Sequence, residues 1–362
     1  MYQKPFILIL IASLFGQDGD GDFSLGEISF MIKDVHIGGA VQDRGRRSEL
    51  NNGSGALDIG LLKYSFSNIE ISGDVNAYNE RAKVKYKFSG PEFEMSNFKM
   101  EVSFDAPNIW LLLKEEMANE HTNYGNRERK IVKNNLKFTI GKVSQYFGAS
   151  GSVDLNERNQ VADFQLQKAG FSVAKVNANF TVDRSSKTTF SIADFKTEAK
   201  NIAFEFDTYD EIPMVEKAAF EISLINLEIN VPREVHQEPQ FKEITDYLNI
   251  NSGKFRIREI NLTINFNRGK DLKIKATADT QFGKAVVDGS FSIRQPIRYD
   301  SDFTIDNFTV EISNLSRPIV EFIDVWEEGT GNKLPRKGKS IYLEMYGDID
   351  NPQIKGLEDL NF

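Results

Sequence analysis

The chain has 362 residues, 40% hydrophobic and 27% charged, a globular balance that excludes a disordered tail and a helical membrane bundle. Its 44 Lys and Arg against 53 Asp and Glu give a net charge of -9 with the basic residues scattered, so no nucleic-acid partner is expected. Cysteine is absent, which excludes disulfides, thiolate catalysis, zinc-thiolate sites and a lipoprotein acylation site, while 28 Phe against 11 Tyr and 2 Trp suit β-strands and apolar linings.

At the N-terminus Lys4 precedes the apolar run Pro5 to Phe15, the layout of a secretory signal peptide. The run is too short to span a bilayer, which needs ~20 apolar residues. Residues 1–16 are therefore expected to be a signal peptide or N-terminal anchor, with the mature chain starting near Gln17. Export without cysteine points to a bacterial envelope, in the periplasm or associated with the outer membrane. Asp18 to Glu27 fits positions 3 to 12 of an EF-hand calcium loop, but position 1 is Gly16 and helices do not flank it. Residues 17–30 read as an acidic linker and the first strand.

Period-two alternation then dominates. In Arg81 to Phe88 the set Ala82, Val84, Tyr86, Phe88 alternates with basic residues, so one face is wet and the other is buried. Similar runs recur to Ile341, Leu343 and Met345, separated by Gly, Asn and Asp turn clusters such as Asn267 to Lys270. Three short helices are expected: one from Asp105 with Pro107 behind it through Met117, a weaker one from Phe241 to Leu248, and one capped by Ser316 and stopped by Gly329. The stripe Ile319, Phe322, Ile323, Trp326 on the last predicts an end cap or lid over the apolar β face. Asn97 to Ser103 (NFKMEVS) resembles Asn307 to Ser313 (NFTVEIS), a weak repeat that suits elongation by stacking. The expected fold is all-β with a few short helices: an elongated, curved antiparallel sheet, as an open groove or a partly closed barrel or sandwich, with helical caps. Its two regions are 31–230 and 231–362.

No catalytic constellation is readable. His36, His121 and His236 stand apart, and neither a phosphate loop nor a nucleophile elbow is present. Glu115 with Glu116 and Glu327 with Glu328 fall on the polar sides of the expected helices. A non-enzymatic protein without metal or cofactor is expected.

The C-terminal third ends in Gly347-Asp348-Ile349-Asp350-Asn351-Pro352-Gln353-Ile354. This resembles the G-x-(I/L)-x-N-P-x-(I/V) ending of AsmA-like and TamB-like envelope proteins. The resemblance implies a periplasmic, β-rich groove that binds or conveys phospholipid or another acyl lipid and supports outer-membrane homeostasis.

Amphipathic strands must hide one face, either against a second sheet or by curling into a trough that accepts acyl chains. The resemblance favours the trough. Its expected lining is Val84, Tyr86, Phe88, Met100, Val102, Phe104, Ile222, Leu224, Leu262, Ile264, Val310 and Ile312. The competing readings are a non-catalytic structural subunit of a bacterial envelope complex and an outer-membrane β-barrel.

Overall fold

The computed structural model describes residues 18–42, 52–76, 81–107, 131–155, 160–182, 186–207, 213–232, 242, 245–246, 253–269, 271–294 and 303–356. The apolar run Pro5 to Phe15 and the helix expected after Pro107 lie outside them. So does most of the helix expected at Phe241 to Leu248, of which Lys242, Thr245 and Asp246 are helical.

Alternating residues bury one face of a strand, and the polar clusters between the runs turn the chain back beside itself. All described strands join one antiparallel sheet of 17 strands, in which the first strand does not pair with the last. It is thus an open sheet, neither a closed barrel nor a two-sheet sandwich. Strands β1 (Asp18–Leu25) and β2 (Ile28–Gln42) pair in one unbroken register with β4 (Asn68–Asn76) and β3 (Asn52–Phe66), Asp18 opposite Asn76 and Gln42 opposite Asn52. They are two halves of one rung, as are β5 (Arg81–Ser89) and β6 (Glu92–Pro107).

The 25-residue β7 (Ile131–Leu155) spans both of those halves and at ~3.3 Å per residue is about 80 Å long. The meander continues through β8 (Gln160–Val182), β9 (Ser186–Asp207), β10 (Pro213–Asn230), β11 (Lys254–Asn267), β12 (Leu272–Thr280), β13 (Gly283–Ile293) and β14 (Phe303–Ser313). Helix α1 (Arg317–Thr330) and the two-residue β15 (Arg336–Lys337) lead to β16 (Ser340–Asp348) and β17 (Gln353–Ile354). The boundary at residue 230 falls between β10 and β11, which pair with each other, so both regions share the sheet.

A transverse crease crosses eight strands. Asp34, Gly60, Asn97, Gly141, Lys175, Ala193, Asn226 and Arg258 lie successively opposite one another, each at a gap in the ladder. Alternate members are left-handed, with φ of 53° at Asp34, 56° at Asn97, 55° at Lys175 and 49° at Asn226. Turning φ by roughly half a revolution from the strand value sends the following side chains to the opposite side. The apolar pattern changes phase at the same place: Ile28, Phe30, Ile32 becomes Val35, Ile37, and Phe93, Met95 becomes Phe98, Met100, Val102. Backbone flip and sequence flip cancel, so one face stays apolar across the crease. Strands without a left-handed residue follow, because directly paired residues share a face.

A second crease runs through Ser67, Gly90 (φ 105°), Gln167 and Asn201 (φ 51°). The two creases divide the sheet into three panels. Among the described residues β12 to β16 extend mainly the middle panel, with Thr280 pairing with Ile257 just past the first crease.

Several expectations are corrected. The first strand starts at Asp18 with no acidic linker before it among the described residues: Asp18–Leu25 is β1, because its carboxylates alternate with Gly and Phe at a strand's period. Asp105 and Pro107 close β6 opposite Lys133 and Ile131, so the ladder continues where a helix start was expected. Helix α1 begins after Ser316, which makes no side-chain cap, and runs past Gly329 to a left-handed cap at Gly331. Its stripe is only partly covered: Ile319, Ile323 and Trp326 are half-buried, whereas Phe322 is 55% exposed.

The crease makes a testable demand. A methyl group added at Gly141 would lie 2.9 Å from Lys175 Cβ, and one at Gly60 3.0 Å from Asn97 Cβ. Gly141→Ala is expected to cost about 1–3 kcal/mol in urea unfolding. Lys175→Gly removes the opposing carbon and should recover at least half of that cost in the double variant. Strict additivity in this double-mutant cycle would contradict the packing described.

Candidate functional site

The pairing register builds one face residue by residue. In the middle panel Phe30 lies opposite Tyr64, Tyr64 opposite Phe93, Phe93 opposite Gln145 and Gln145 opposite Phe171. The row continues through Thr197, Ile222, Leu262, Ala276, Val287 and Val310 to Leu343. All members but Gln145 and Thr197 are apolar or aromatic, and at ~4.8 Å per strand the row extends about 50 Å.

Among the described residues no second layer of strands covers this face. Among the described residues only thirteen apolar side chains are buried, while Phe30 (56%), Tyr64 (41%), Phe220 (44%) and Ile222 (38%) are substantially exposed. A continuous apolar surface of this extent exceeds what scattered surface residues produce, and it is the site's defining feature.

The opposite face is polar and laced with cross-strand ion pairs. Lys137 Nζ lies 3.0 Å from Glu101, Lys83 Nζ 3.7 Å from Asp154 and Lys275 Nζ 3.4 Å from Asp288. Exposed pairs of this kind are worth ~0–1 kcal/mol each; their main effect is to keep this face wet.

One cluster on that face is buried. The Glu198 side chain is 3% exposed and is reached by Lys196 at 2.9 Å, Lys200 at 2.5 Å and Lys168 at 3.8 Å. Tyr146 donates its hydroxyl to Glu198 Oε1 at 2.5 Å, and Lys168 sits over the Tyr146 ring at 4.0 Å. Burial pushes the Glu198 carboxyl up, but the hydrogen bonds from Lys196, Lys200 and Tyr146 outweigh it and bring the pKa down to about 2. The Tyr146 hydroxyl is raised, first by burial and then by its bond to Glu198. This arrangement holds a carboxylate ionised against the sheet, tying β7, β8 and β9 together.

His36 lies beside Asp58 at 3.5 Å on the exposed edge, and no group of three or more metal-ligating side chains occurs among the described residues.

The residues expected to line a trough fall on the apolar face but in different panels. Ile222 and Leu262 are directly opposite, Leu224 faces Ile260, and Ile264 faces Phe220, with Val310 and Ile312 farther along the same panel. Val84, Tyr86 and Phe88 lie beyond the second crease, and Met100, Val102 and Phe104 beyond the first. Val84 is only 6% exposed. Phe30, Tyr64, Phe93 and Phe171 were missed, because a phase change shortens the alternating runs they belong to. The repeat has a structural reading here: Asn97 sits at the crease, and Asn307 at the ladder irregularity between Ile305 and Phe308.

No family model, curated protein or solved structure matches the chain. No helix among the described residues is long and apolar enough to cross a membrane, which leaves strand-spanning unaddressed.

Glu198 gives this site a pH signature. Its folded pKa of about 2 lies below the ordinary 4.5, so its stabilisation is present above about 4.5 and is lost as pH falls toward 2. Wild-type protein should lose denaturant stability over that interval, and Glu198→Gln should flatten that part of the profile. Identical acid profiles for the two proteins would show that the cluster does not hold the sheet.

Proposed function

We propose that the chain is an exported envelope protein that accommodates phospholipid acyl chains along its apolar face. The observation that carries this reading is the uncovered apolar row from Phe30 to Leu343, backed by a charged opposite face. Acyl chains need an extended apolar contact surface and no specific polar partners, which such a face supplies. The ending Gly347 to Ile354 supports the AsmA-like reading. It folds as a turn that returns Gln353 and Ile354 beside Tyr346 and Met345, with the Asn351 N–H donating to the Asp348 carbonyl at 3.1 Å. The role in outer-membrane homeostasis and the periplasmic location are part of the same proposal.

The test combines binding with folding. Ile222 is 38% exposed, so Ile222→Asp can hydrate its carboxylate and should remain folded, with a Tm within a few degrees of wild type. Phospholipid recovered with the purified variant, quantified by mass spectrometry, should fall several-fold. Ser223→Asp, on the opposite face, should leave it unchanged. Wild-type protein that neither copurifies with phospholipid nor takes it up from vesicles would defeat the proposal and return the chain to a structural role in an envelope complex.

A further inference from the structure

The two edges of the sheet are finished differently. At the C-terminal edge β16 is covered on its outer side: Arg336 and Lys337 pair with Ile341 and Ser340, and Gln353 and Ile354 with Tyr346 and Met345. The Tyr342 N–H donates to the Pro335 carbonyl at 2.9 Å, and the Lys355 N–H to the Glu344 carbonyl at 2.9 Å. At the N-terminal edge no described strand pairs with the outer side of β1 and β2. That edge is long and exposes large side chains on both faces, with Phe23 at 53%, Phe30 at 56%, Met31 at 50% and Ile37 at 57%. Natural sheets normally blunt such an edge, because its unpaired N–H and C=O groups are a template for another strand.

The sequence of this edge is symmetric about Phe30. Its apolar-face residues are Phe23, Leu25, Ile28, Phe30, Ile32, Val35 and Ile37, at separations of 2, 5 and 7 on each side of the centre. The phase change at Gly26 and Glu27 mirrors the one at Lys33 and Asp34. In an antiparallel pairing of this strand with itself, centred on Phe30, Ile28 meets Ile32, Leu25 meets Val35 and Phe23 meets Ile37. On the other face Glu27 meets Lys33 twice, once at each side of the axis. The irregular points of one copy fall opposite those of the other, so both ladders break together.

We infer that β1 and β2 form a homodimer interface in which a second copy of this chain pairs edge to edge about a two-fold axis at Phe30. The second copy is preferred to an unrelated strand because self-pairing alone matches apolar spacing, crease positions and charge at once. Such a contact is isologous and closes at two chains, since the other edge is covered. It joins two apolar faces into one, and it stands whether or not those faces carry lipid.

Because the chain has no cysteine, the axis can be probed directly. In the full chain Phe30→Cys places two sulfurs on directly opposed residues, where Cα atoms are ~4.5–5.5 Å apart and a disulfide fits. Met31→Cys is opposed to Ser29, and its symmetry mate lies on the diagonal at ~7–8 Å, too far for ready bridging. Mild oxidation should give covalent dimer at least tenfold faster for Phe30→Cys. By light scattering, wild type should be dimeric. Phe30→Lys should be monomeric with an unchanged far-UV spectrum, because its ring is exposed. Glu27→Lys and Lys33→Glu should each weaken the dimer by about tenfold, and the two together should restore it. A monomeric wild type would overturn the interface, as would a dimer indifferent to Phe30→Lys or equal crosslinking at positions 30 and 31.

Discussion

A β-strand shows alternate side chains to alternate faces, and it cannot change that assignment without breaking its own conformation. Everything distinctive about this sheet follows from how it breaks. At the first crease the sequence changes phase on eight adjacent strands, and the backbone changes phase in the same row through left-handed Asp34, Asn97, Lys175 and Asn226. Had either change occurred alone, Phe and Ile side chains would emerge on both faces, and the charged face would be interrupted. Asn and Asp tolerate the left-handed region better than most residues; Lys175 does not share that advantage, and the close approach of its Cβ explains why Gly141 lies opposite.

The consequence is a division of labour between faces. The polar face is kept wet by its cross-strand charges, and the buried Glu198 cluster on it ties together three long strands. Among the described residues the apolar face has few buried side chains and no opposing sheet, so its stability comes from lateral packing of neighbours along each row. A single layer that keeps its shape through its ladder and its wet face can leave the other face available to a partner of low polarity. That separation of structural from contact surface is what makes acyl-chain binding physically reasonable here.

Much of this was legible in the residues. Alternation with Gly, Asn and Asp turns identified an antiparallel all-β meander, and the apolar face of β5, β10 and β11 could be read directly. Three features were hidden. The creases split alternating runs into pieces too short to stand out, which concealed Phe30, Tyr64 and Phe171. Composition disguised β1, since Asp and Gly are depleted in strands and mark turns and loops more often. In α1 the period of 3.6 located the helix, but Phe322 faces outward because the helix joins β14 to β16 beside Phe282 without being enclosed. Periodicity describes which residues could share a face; only pairing shows what lies across from them.

The central claim is that the apolar face is continuous through the first crease, and strand β3 tests it most directly because Leu61 is apolar in sequence yet assigned to the polar face. Single cysteines from Leu57 to Tyr64, spin-labelled in protein incubated with phospholipid vesicles to cover the apolar face as proposed, would be measured for relaxation by a water-soluble paramagnetic reagent. Low accessibility is predicted at 57, 59, 62 and 64 and high accessibility at 58, 61 and 63, a pattern that changes phase at Gly60. Alternation running unbroken through Gly60, with 61 and 63 as protected as 57 and 59, would contradict the account.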